Sequence, residues 1–353
     1  MKRLLCLLLL PALATAADEP RARDLGIPFD GTPGQYNAIT DVPGVTVGFE
    51  TIIRDLEDDK AVRTGVTAIL PRGAATNDRP AYGGWFSLNG NGEMTGTTWV
   101  EESGFVEGPI MITNTHSVGA VHEGTIRWRF ENGAADSSGY WWSLPVVAET
   151  WDGYLNDING FHVRPEHAFA AIEAAEGGPV AEGNIGGGTA MICFDFKCGT
   201  GTSSRVTAVA GEAYTVGVLV QANFGAREQL IVAGVPVGKR LADDGEYAAR
   251  RKDFSGVGSI IIVVGTDAPL LPHQLKRLVR RAALGLARTG SIAMNGSGDI
   301  FIAFSTGNDG VSQADSGAGI ASVPNERIVP LFEATVQATE EAIINALVAG
   351  RSM

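Results

Sequence analysis

The chain has 353 residues and a formal net charge of −13, with 44% apolar and 19% charged residues. This balance excludes an intrinsically disordered chain, because disordered sequences have too few apolar residues to bury a core. The acidic excess argues against nucleic-acid binding, since phosphate contacts need clustered Lys and Arg. Glycine accounts for 46 of the 353 residues, about 13% against a usual share of about 7%. This excess favours a globular fold rich in turns and strands.

The N-terminus has the pattern of a secretory signal peptide. A short basic start leads into the apolar run Leu4–Leu10, and Ala14-Thr15-Ala16 supplies small residues at a cleavage site. The apolar run is shorter than the roughly 20 residues that a membrane span requires. We therefore predict a signal peptide over 1–16, export to the periplasm where the host has an outer membrane, no membrane association, and one domain over 17–353.

The first half of the chain alternates short apolar runs with turn signals. Strands are predicted at Val45–Phe49 and Thr64–Leu70, a turn at Asn89-Gly90-Asn91-Gly92, and helices after Met111–Asn114, with Thr115 a plausible cap, and from Pro165 to Ala175. The glycine-rich segment Asn184–Gly188 lacks the Walker lysine and the dinucleotide spacing, so it is interpreted as a structural turn.

The second half contains longer apolar runs. Strands are predicted at Thr189–Phe196, Arg205–Ala210, Tyr214–Ala222, Ser259–Gly265 and, half-buried, Ile300–Phe304, and helices at about His273–Ala287 and Pro330–Val348. Gly211-Glu212 predicts a hairpin, and the mixed charges of residues 239–253 predict a solvated linker. Interleaved strands and helices indicate an α/β or α+β fold with layered packing.

Only Cys193 and Cys198 remain in the exported chain, and an oxidising compartment permits a disulfide. Five residues apart on one continuous strand, their side chains would lie on opposite faces and too far apart, so a bond needs an intervening turn. The sequence therefore favours two buried free thiols. His116, His122 and the other histidines are dispersed without zinc-ligand spacing, so neither a metal nor a cofactor is predicted.

The junction Gly258-Ser259 joins the charged linker to a buried strand. A plain loop is one interpretation. The other is a self-cleaving precursor, in which Ser259 attacks the carbonyl of Gly258 and glycine permits the strained backbone. Cleavage would leave a hydroxyl beside a free α-amine, whose unperturbed pKa of about 7.7–8.0 suits general-base work.

Three further segments hold candidate residues for the same site. Ser297 and Asp299 project to one face if residue 299 begins a strand, so the carboxylate could polarise a hydroxyl, although a glycine turn is an equal alternative. Asn223 follows a strand and is either a turn residue or a donor to an oxyanion. Glu149 and Trp151 are either core residues or a carboxylate and an apolar wall for an amine.

These segments together resemble the L-aminopeptidase/D-Ala-esterase (DmpA) family of serine peptidases, which includes the β-peptidyl aminopeptidases. The resemblance extends over nearly the whole exported chain. Its most specific stretches are Asn114–Gly119, Leu144–Thr150, Gly258–Ile261, Thr266–Leu275 and Asn295–Ile300.

The resemblance implies a four-layer αββα sandwich similar to N-terminal-nucleophile hydrolases, with different connectivity. It implies self-cleavage into 17–258 and 259–353, with Ser259 as nucleophile, Ser297 and Asp299 in support, Asn223 at the oxyanion and Glu149 at the substrate's amine. Some members carry Tyr at the position of Trp151, and Trp has no hydroxyl, so an oxyanion role there stays open. Substrates would be short peptides, amides or esters with a free amino group, and the family usually forms homotetramers.

Two rival functions remain. One is an acyltransferase similar to the ornithine acetyltransferases, which share the general architecture and self-cleavage but carry threonine where Ser259 stands. A secreted binding protein that stays uncleaved is the other rival. The preference for L, D or β residues, and the choice of general base between the Ser259 amine and the Ser297–Asp299 pair, stay open at this point.

Overall fold

The computed structural model describes residues 20–133, 138–241, 257–312 and 319–353. The predicted signal peptide and residues 242–253 of the predicted linker lie outside the described residues. The strands are β1 (Thr46–Asp55), β2 (Ala61–Leu70), β3 (Ala81–Ser87), β4 (Phe105–Val106), β5 (Ile110–Asn114), β6 (Val146–Thr150), β7 (Ile192–Cys193), β8 (Phe196–Lys197), β9 (Thr200–Val209), β10 (Glu212–Asn223), β11 (Val257–Thr266) and β12 (Gly296–Ser305).

The α-helices surround two main sheets. They are α1 (Thr97–Ser103), α2 (Val118–Glu131), α3 (Pro165–Glu173), α4 (Val237–Leu241), α5 (Pro272–Val279), α6 (Ala282–Arg288) and α7 (Val329–Val348). One sheet has the order β1-β2-β5-β6, and the other has the order β4-β3-β12-β11-β10-β9. Strands β7 and β8 form a separate hairpin.

Three hydrophobic cores arrange these elements in four layers. One core lies between α2 and α3 and the four-stranded sheet, a second between the two sheets, and a third between the six-stranded sheet and helices α5, α6 and α7. This is the αββα sandwich that the family resemblance implies.

Strand β11 shows why a long apolar run forms the middle of this sandwich. Ile260, Ile262 and Val264 pack on the helical side, whereas Ile261 and Val263 pack between the sheets. A strand covered on both faces needs apolar residues at every position, so the sequence there does not alternate. Strand β12 is covered in the same way, and its prediction as a half-buried strand was wrong.

The prediction of free thiols was also wrong. Cys193 and Cys198 form a disulfide, with their Cα atoms 5.4 Å apart. The predicted continuous strand is instead the β7–β8 hairpin, in which Phe194 and Asp195 adopt φ angles of 49° and 63°. These two left-handed residues reverse the chain and bring the cysteines within bonding distance.

Smaller differences concern helix ends. The helix predicted over 273–287 is two helices, α5 and α6, and Thr115 lies in a 3₁₀ turn rather than capping α2. Within the described part of the chain, every helix is too short or too polar to span a lipid bilayer.

Candidate active site

Ser259 lies near the start of β11, between two neighbouring strands. Asn223 at the end of β10 is its antiparallel partner, and Gly298 of β12 is its parallel partner. The Ser259 side chain is buried; its Oγ donates to the carbonyl of Gly258 at 2.8 Å and accepts from the N–H of Gly298 at 3.3 Å. The hydroxyl therefore rests against the carbonyl of the preceding peptide bond.

Ser297 and Asp299 lie on the adjacent strand, β12, with their side chains together. The Ser297 hydroxyl donates to Asp299 Oδ1 at 2.6 Å. Burial raises the pKa of Asp299, while hydrogen bonds from Ser297, the Ile260 N–H and Asn89 lower it. The second oxygen, Oδ2, accepts from Asn89 Nδ2 at 3.3 Å, so both carboxylate oxygens have donors.

Asn223 joins β10 to the segment after β6. Its Oδ1 accepts from the N–H of Ile192 at 2.9 Å, and its Nδ2 donates to the carbonyl of Trp151 at 2.7 Å. An amide nitrogen carries two hydrogens, so one N–H of Asn223 remains for a further acceptor. Asn223 is therefore held in place without exhausting its donors.

Glu149 lies at the end of β6 and is almost fully buried. Its Oε1 accepts from the N–H of Glu93 at 3.0 Å, and its Oε2 accepts from the Thr115 hydroxyl. Burial is the largest influence and raises the pKa of Glu149, whereas these two hydrogen bonds and nearby His116 lower it. The arrangement offers a buried carboxylate to a cationic group.

A cavity of about 260 Å³ unites these side chains. Its lining comprises Asn91, Gly92, Glu93, Thr115, Glu149, Trp151, Gly258, Ser259 and Gly296. Five segments supply the cavity wall: the loop residues 91–93, the ends of β5 and β6, and the beginnings of β11 and β12. The cavity thus brings Ser259, Glu149 and Trp151 together, with Ser297, Asp299 and Asn223 behind its wall.

The segment between β3 and α1, residues 88–96, is the part of the site that sequence reasoning missed. Asn89 accepts from the Asp299 N–H at 2.6 Å through its Oδ1, and Asn91 donates to the carbonyl of Gly296 at 2.8 Å. The N–H of Glu93 holds Glu149, as described above. The Asn-Gly-Asn-Gly pattern, predicted only as a turn, therefore connects the serine–aspartate pair to the buried glutamate.

Among the described residues, no group of three or more His, Cys, Asp and Glu side chains is placed to hold a metal ion. The titratable side chains in the cavity wall are the carboxylates of Glu93 and Glu149, and Ser259 supplies a hydroxyl to the same wall. The geometry is that of a hydroxyl beside a carbonyl, with supporting carboxylates on two sides.

Comparison with known proteins identifies the family. The model of peptidase family S58 matches residues 37–353. The chain belongs to peptidase family S58. As a member of that family, it is a serine-type aminopeptidase and a hydrolase.

Family S58 relatives match over nearly the whole length. Beta-peptidyl aminopeptidase BapA of Sphingosinicella microcystinivorans is 54% identical, covering 98% of this chain and 89% of the relative. Beta-peptidyl aminopeptidase BapA of Sphingosinicella xenopeptidilytica is 46% identical, covering 99% of this chain and 90% of that protein.

Solved structures of S58-like enzymes superpose closely on the chain. The L-aminopeptidase D-Ala-esterase/amidase of Ochrobactrum anthropi, described as a variant of the Ntn hydrolase fold, gives a TM-score of 0.88 at 48% identity, over 95% of this chain and 92% of that one. A β-aminopeptidase of a Burkholderia species gives 0.86 at 50% identity, over 95% and 93%. The Ntn-like sandwich predicted from the sequence is therefore confirmed.

Proposed function

We propose that this S58 peptidase is exported, cleaves itself between Gly258 and Ser259, and then uses Ser259 as an N-terminal nucleophile. It would remove one N-terminal residue from short peptides, amides or esters. The observation that carries the proposal is the 2.8 Å contact between the Ser259 hydroxyl and the Gly258 carbonyl. Export rests on the signal-peptide pattern of residues 1–16.

The self-cleavage step is an N→O acyl shift followed by hydrolysis. Ser259 Oγ bonds to the carbonyl carbon of Gly258, the peptide C–N bond breaks, and the nitrogen of Ser259 takes the hydroxyl proton. Water then hydrolyses the ester, releasing the carboxylate of Gly258 and restoring the Ser259 hydroxyl beside a free amine. Glycine is required at 258, because a Cβ there would lie 2.4 Å from the carbonyl oxygen of Asn223.

Substrate hydrolysis repeats this chemistry on an external carbonyl. The Ser259 hydroxyl attacks, the leaving amine takes a proton, and water later hydrolyses the acyl-enzyme. The spare N–H of Asn223 and the N–H of Gly298 are the nearby donors for the oxyanion, a contribution worth about 3–4 kcal/mol per donor. The Ser259 α-amine is the nearest base for the hydroxyl proton, and Ser297 with Asp299 supplies an alternative acceptor.

Recognition of the substrate would rest on the acidic end of the cavity. A buried Glu149 carboxylate favours a cationic amine, and the Trp151 side chain supplies an apolar wall. The relatives at 54% and 46% identity are beta-peptidyl aminopeptidases, so we include N-terminal β-residues among the substrates. A homotetramer is part of the proposal, since Phe130, Tyr140, Trp142 and Leu144 expose large apolar side chains that suit an interface.

The deciding experiment compares wild type with Ser259→Ala. Wild type should run as two bands on a denaturing gel and give a mature second N-terminus reading Ser-Ile-Ile-Ile, whereas the variant should remain one chain. Hydrolysis of alanine p-nitroanilide should fall by at least 10³-fold in the variant, because nucleophile and processing are lost together. Full processing of Ser259→Ala would place the nucleophile elsewhere.

The same preparations test the two rivals. Acetyl transfer from N-acetylornithine without hydrolysis of the anilide would favour an acyltransferase. A single band from wild type, without hydrolysis, would favour an uncleaved binding protein. Size-exclusion chromatography with light scattering tests the tetramer.

A further inference from the structure

The β7–β8 hairpin takes no part in the proposed steps. The disulfide between Cys193 and Cys198 closes it, and both cysteines are fully buried. Two residue pairs join its strands, Ile192 with Lys197 and Cys193 with Phe196. A hairpin with so little backbone pairing is at best marginally stable by itself, so other interactions must keep it closed.

The turn of this hairpin is formed by residues that do not favour it. Phe194 and Asp195 adopt φ angles of 49° and 63°. A two-residue turn with positive φ at both positions is typical of Asn-Gly, because bulky side chains avoid the left-handed region. The Phe194 ring packs edge-on against Phe224, with centroids 5.0 Å apart, which offsets part of this cost. The closed hairpin therefore depends on the disulfide as well as on this packing.

Three hydrogen bonds attach the hairpin segment to the end of β10. They join the Ile192 N–H to Asn223 Oδ1 at 2.9 Å, the Phe194 N–H to the Phe224 carbonyl at 2.7 Å, and the Ala222 N–H to the Gly199 carbonyl at 3.0 Å. The first two use the residues on either side of Cys193, and the third uses the residue after Cys198. The disulfide thus links the two arms that hold residues 222–224.

The contact from Ile192 orients the Asn223 amide. A backbone N–H can only donate and the Trp151 carbonyl can only accept, so Oδ1 must face Ile192 and Nδ2 must face Trp151. The second N–H of Nδ2 is then fixed in direction. If the Ile192 contact is lost, the amide keeps one partner and can turn about that bond, which displaces the second N–H.

We propose that Cys193 and Cys198 are a positioning pair: their disulfide keeps the Ile192 N–H on Asn223 Oδ1 and so aims the second Asn223 N–H at the substrate oxyanion. The inference rests on the proposed function in one respect, namely that Asn223 donates to the oxyanion. The two cysteines do not line the cavity. Opening the disulfide should therefore weaken the transition state and leave amine binding at Glu149 intact.

The test compares wild type with the double variant Cys193→Ala/Cys198→Ala, using two inhibitors. 1-Aminoethylboronic acid bonds to the Ser259 hydroxyl as a tetrahedral anion and so carries an oxyanion, whereas L-alaninol offers an amine without one. Removing an oxyanion donor costs about 10²- to 10³-fold in kcat, so displacing one should lower kcat and weaken the boronic acid by about tenfold. KM for alanine p-nitroanilide and the inhibition constant of L-alaninol should stay within about twofold.

Reversible oxidation of wild type gives a second, independent measurement. Wild type made in a reducing cytoplasm and purified with a reductant carries two thiols. Glutathione disulfide then forms the Cys193–Cys198 bond, its own sulfurs taking the two electrons and two protons to give two glutathione thiols. Oxidation should strengthen boronic acid binding by about tenfold. This measurement decides the question even if the double variant fails to fold.

Ser203→Ala is the matched control, because it removes a buried hydroxyl that donates to the Ala338 carbonyl, away from Asn223. It should lower Tm without changing either inhibition constant. All constants refer to the cleaved fraction, measured on denaturing gels. Equal weakening of both inhibitors on opening the disulfide, or no change in either, overturns the proposal. Absence of processing and hydrolysis in oxidised wild type would instead refute the proposed function.

Discussion

Glu149 is subject to two opposing influences at the scale of a single residue. Burial favours its neutral form, whereas binding an ammonium group requires the carboxylate. Hydrogen bonds from Thr115 and from the Glu93 N–H lower its pKa and partly offset the effect of burial. The sequence placed Glu149 among the candidates, but nothing in it indicated that Thr115 would be a donor, because the contact forms between the ends of two strands.

Replacing Thr115 with Val should make Glu149 harder to ionise. The loss of a donor to the carboxylate raises the Glu149 pKa, so the acid limb of kcat/KM should move to higher pH by about one unit, equivalent to about 1.4 kcal/mol. The measurement is the pH profile with alanine p-nitroanilide. Thr125→Val is the control, because that hydroxyl donates to the Val121 carbonyl within α2. Identical acid limbs of kcat/KM for both variants would show that the Thr115 hydroxyl does not influence the pKa of Glu149.

At the scale of elements, the segment 88–96 determines the shape of the cavity wall. It contacts β12 through Asn89 and Asn91, and it contacts β6 through the N–H of Glu93. Backbone packing here is close. A Cβ on Gly92 would lie 3.1 Å from Glu149 Oε1 and 3.1 Å from the Cα of Gly298, so the wall has room only for glycine without displacement.

Gly92→Ala should therefore lower kcat/KM by about 10- to 100-fold, because the methyl group displaces Glu149 or Gly298, while the fold persists. Thermal unfolding and activity measured on the same sample separate the two effects. Gly90→Ala is a matched control two residues away, since its Cβ would meet only Ser87 Oγ, at 4.0 Å. Equal losses in both variants would indicate a general effect of stiffening the segment.

The elements also show what the sequence could predict. The β-branched run of β11 and the apolar stripe of α7 were predicted close to their observed bounds. Burial of these elements requires apolar residues at a regular spacing within one short segment, and that spacing can be recognised in the sequence. The β7–β8 hairpin was missed, since Phe194 adopts a left-handed angle that is uncommon for a bulky residue, and no glycine marks the turn. Asn89 was missed for a different reason: its partner, Asp299, is 210 positions away.

At the scale of the whole molecule, the proposed second chain occupies the centre of the fold. Strands β11 and β12 lie between β10 and β3 of the first chain, in the middle of the six-stranded sheet. Helix α7 adds the buried Arg205–Glu341 ion pair, at 2.6 Å, and Glu341 also pairs with Arg23. Breaking one backbone bond removes none of these contacts.

The two chains should therefore remain associated after cleavage. Under native conditions they should co-elute as one species, and only denaturant should separate them. Size-exclusion chromatography with and without 6 M guanidinium, followed by denaturing gels, checks this. Release of the smaller chain from native protein would mean that the central strands pair less tightly than this topology implies.

Because β11 is paired on both sides, its position in the sheet also determines whether another protease can cleave the Gly258–Ser259 bond. Another protease needs an accessible, extended stretch of backbone. This peptide bond is instead paired with Asn223 on one side and with Ser297 and Gly298 on the other. On the proposed mechanism, only the assembled sandwich presents the hydroxyl to its carbonyl. Maturation would then depend on correct folding. A molecule that misfolds during export would not cleave itself, would not acquire the catalytic amine and would remain inactive.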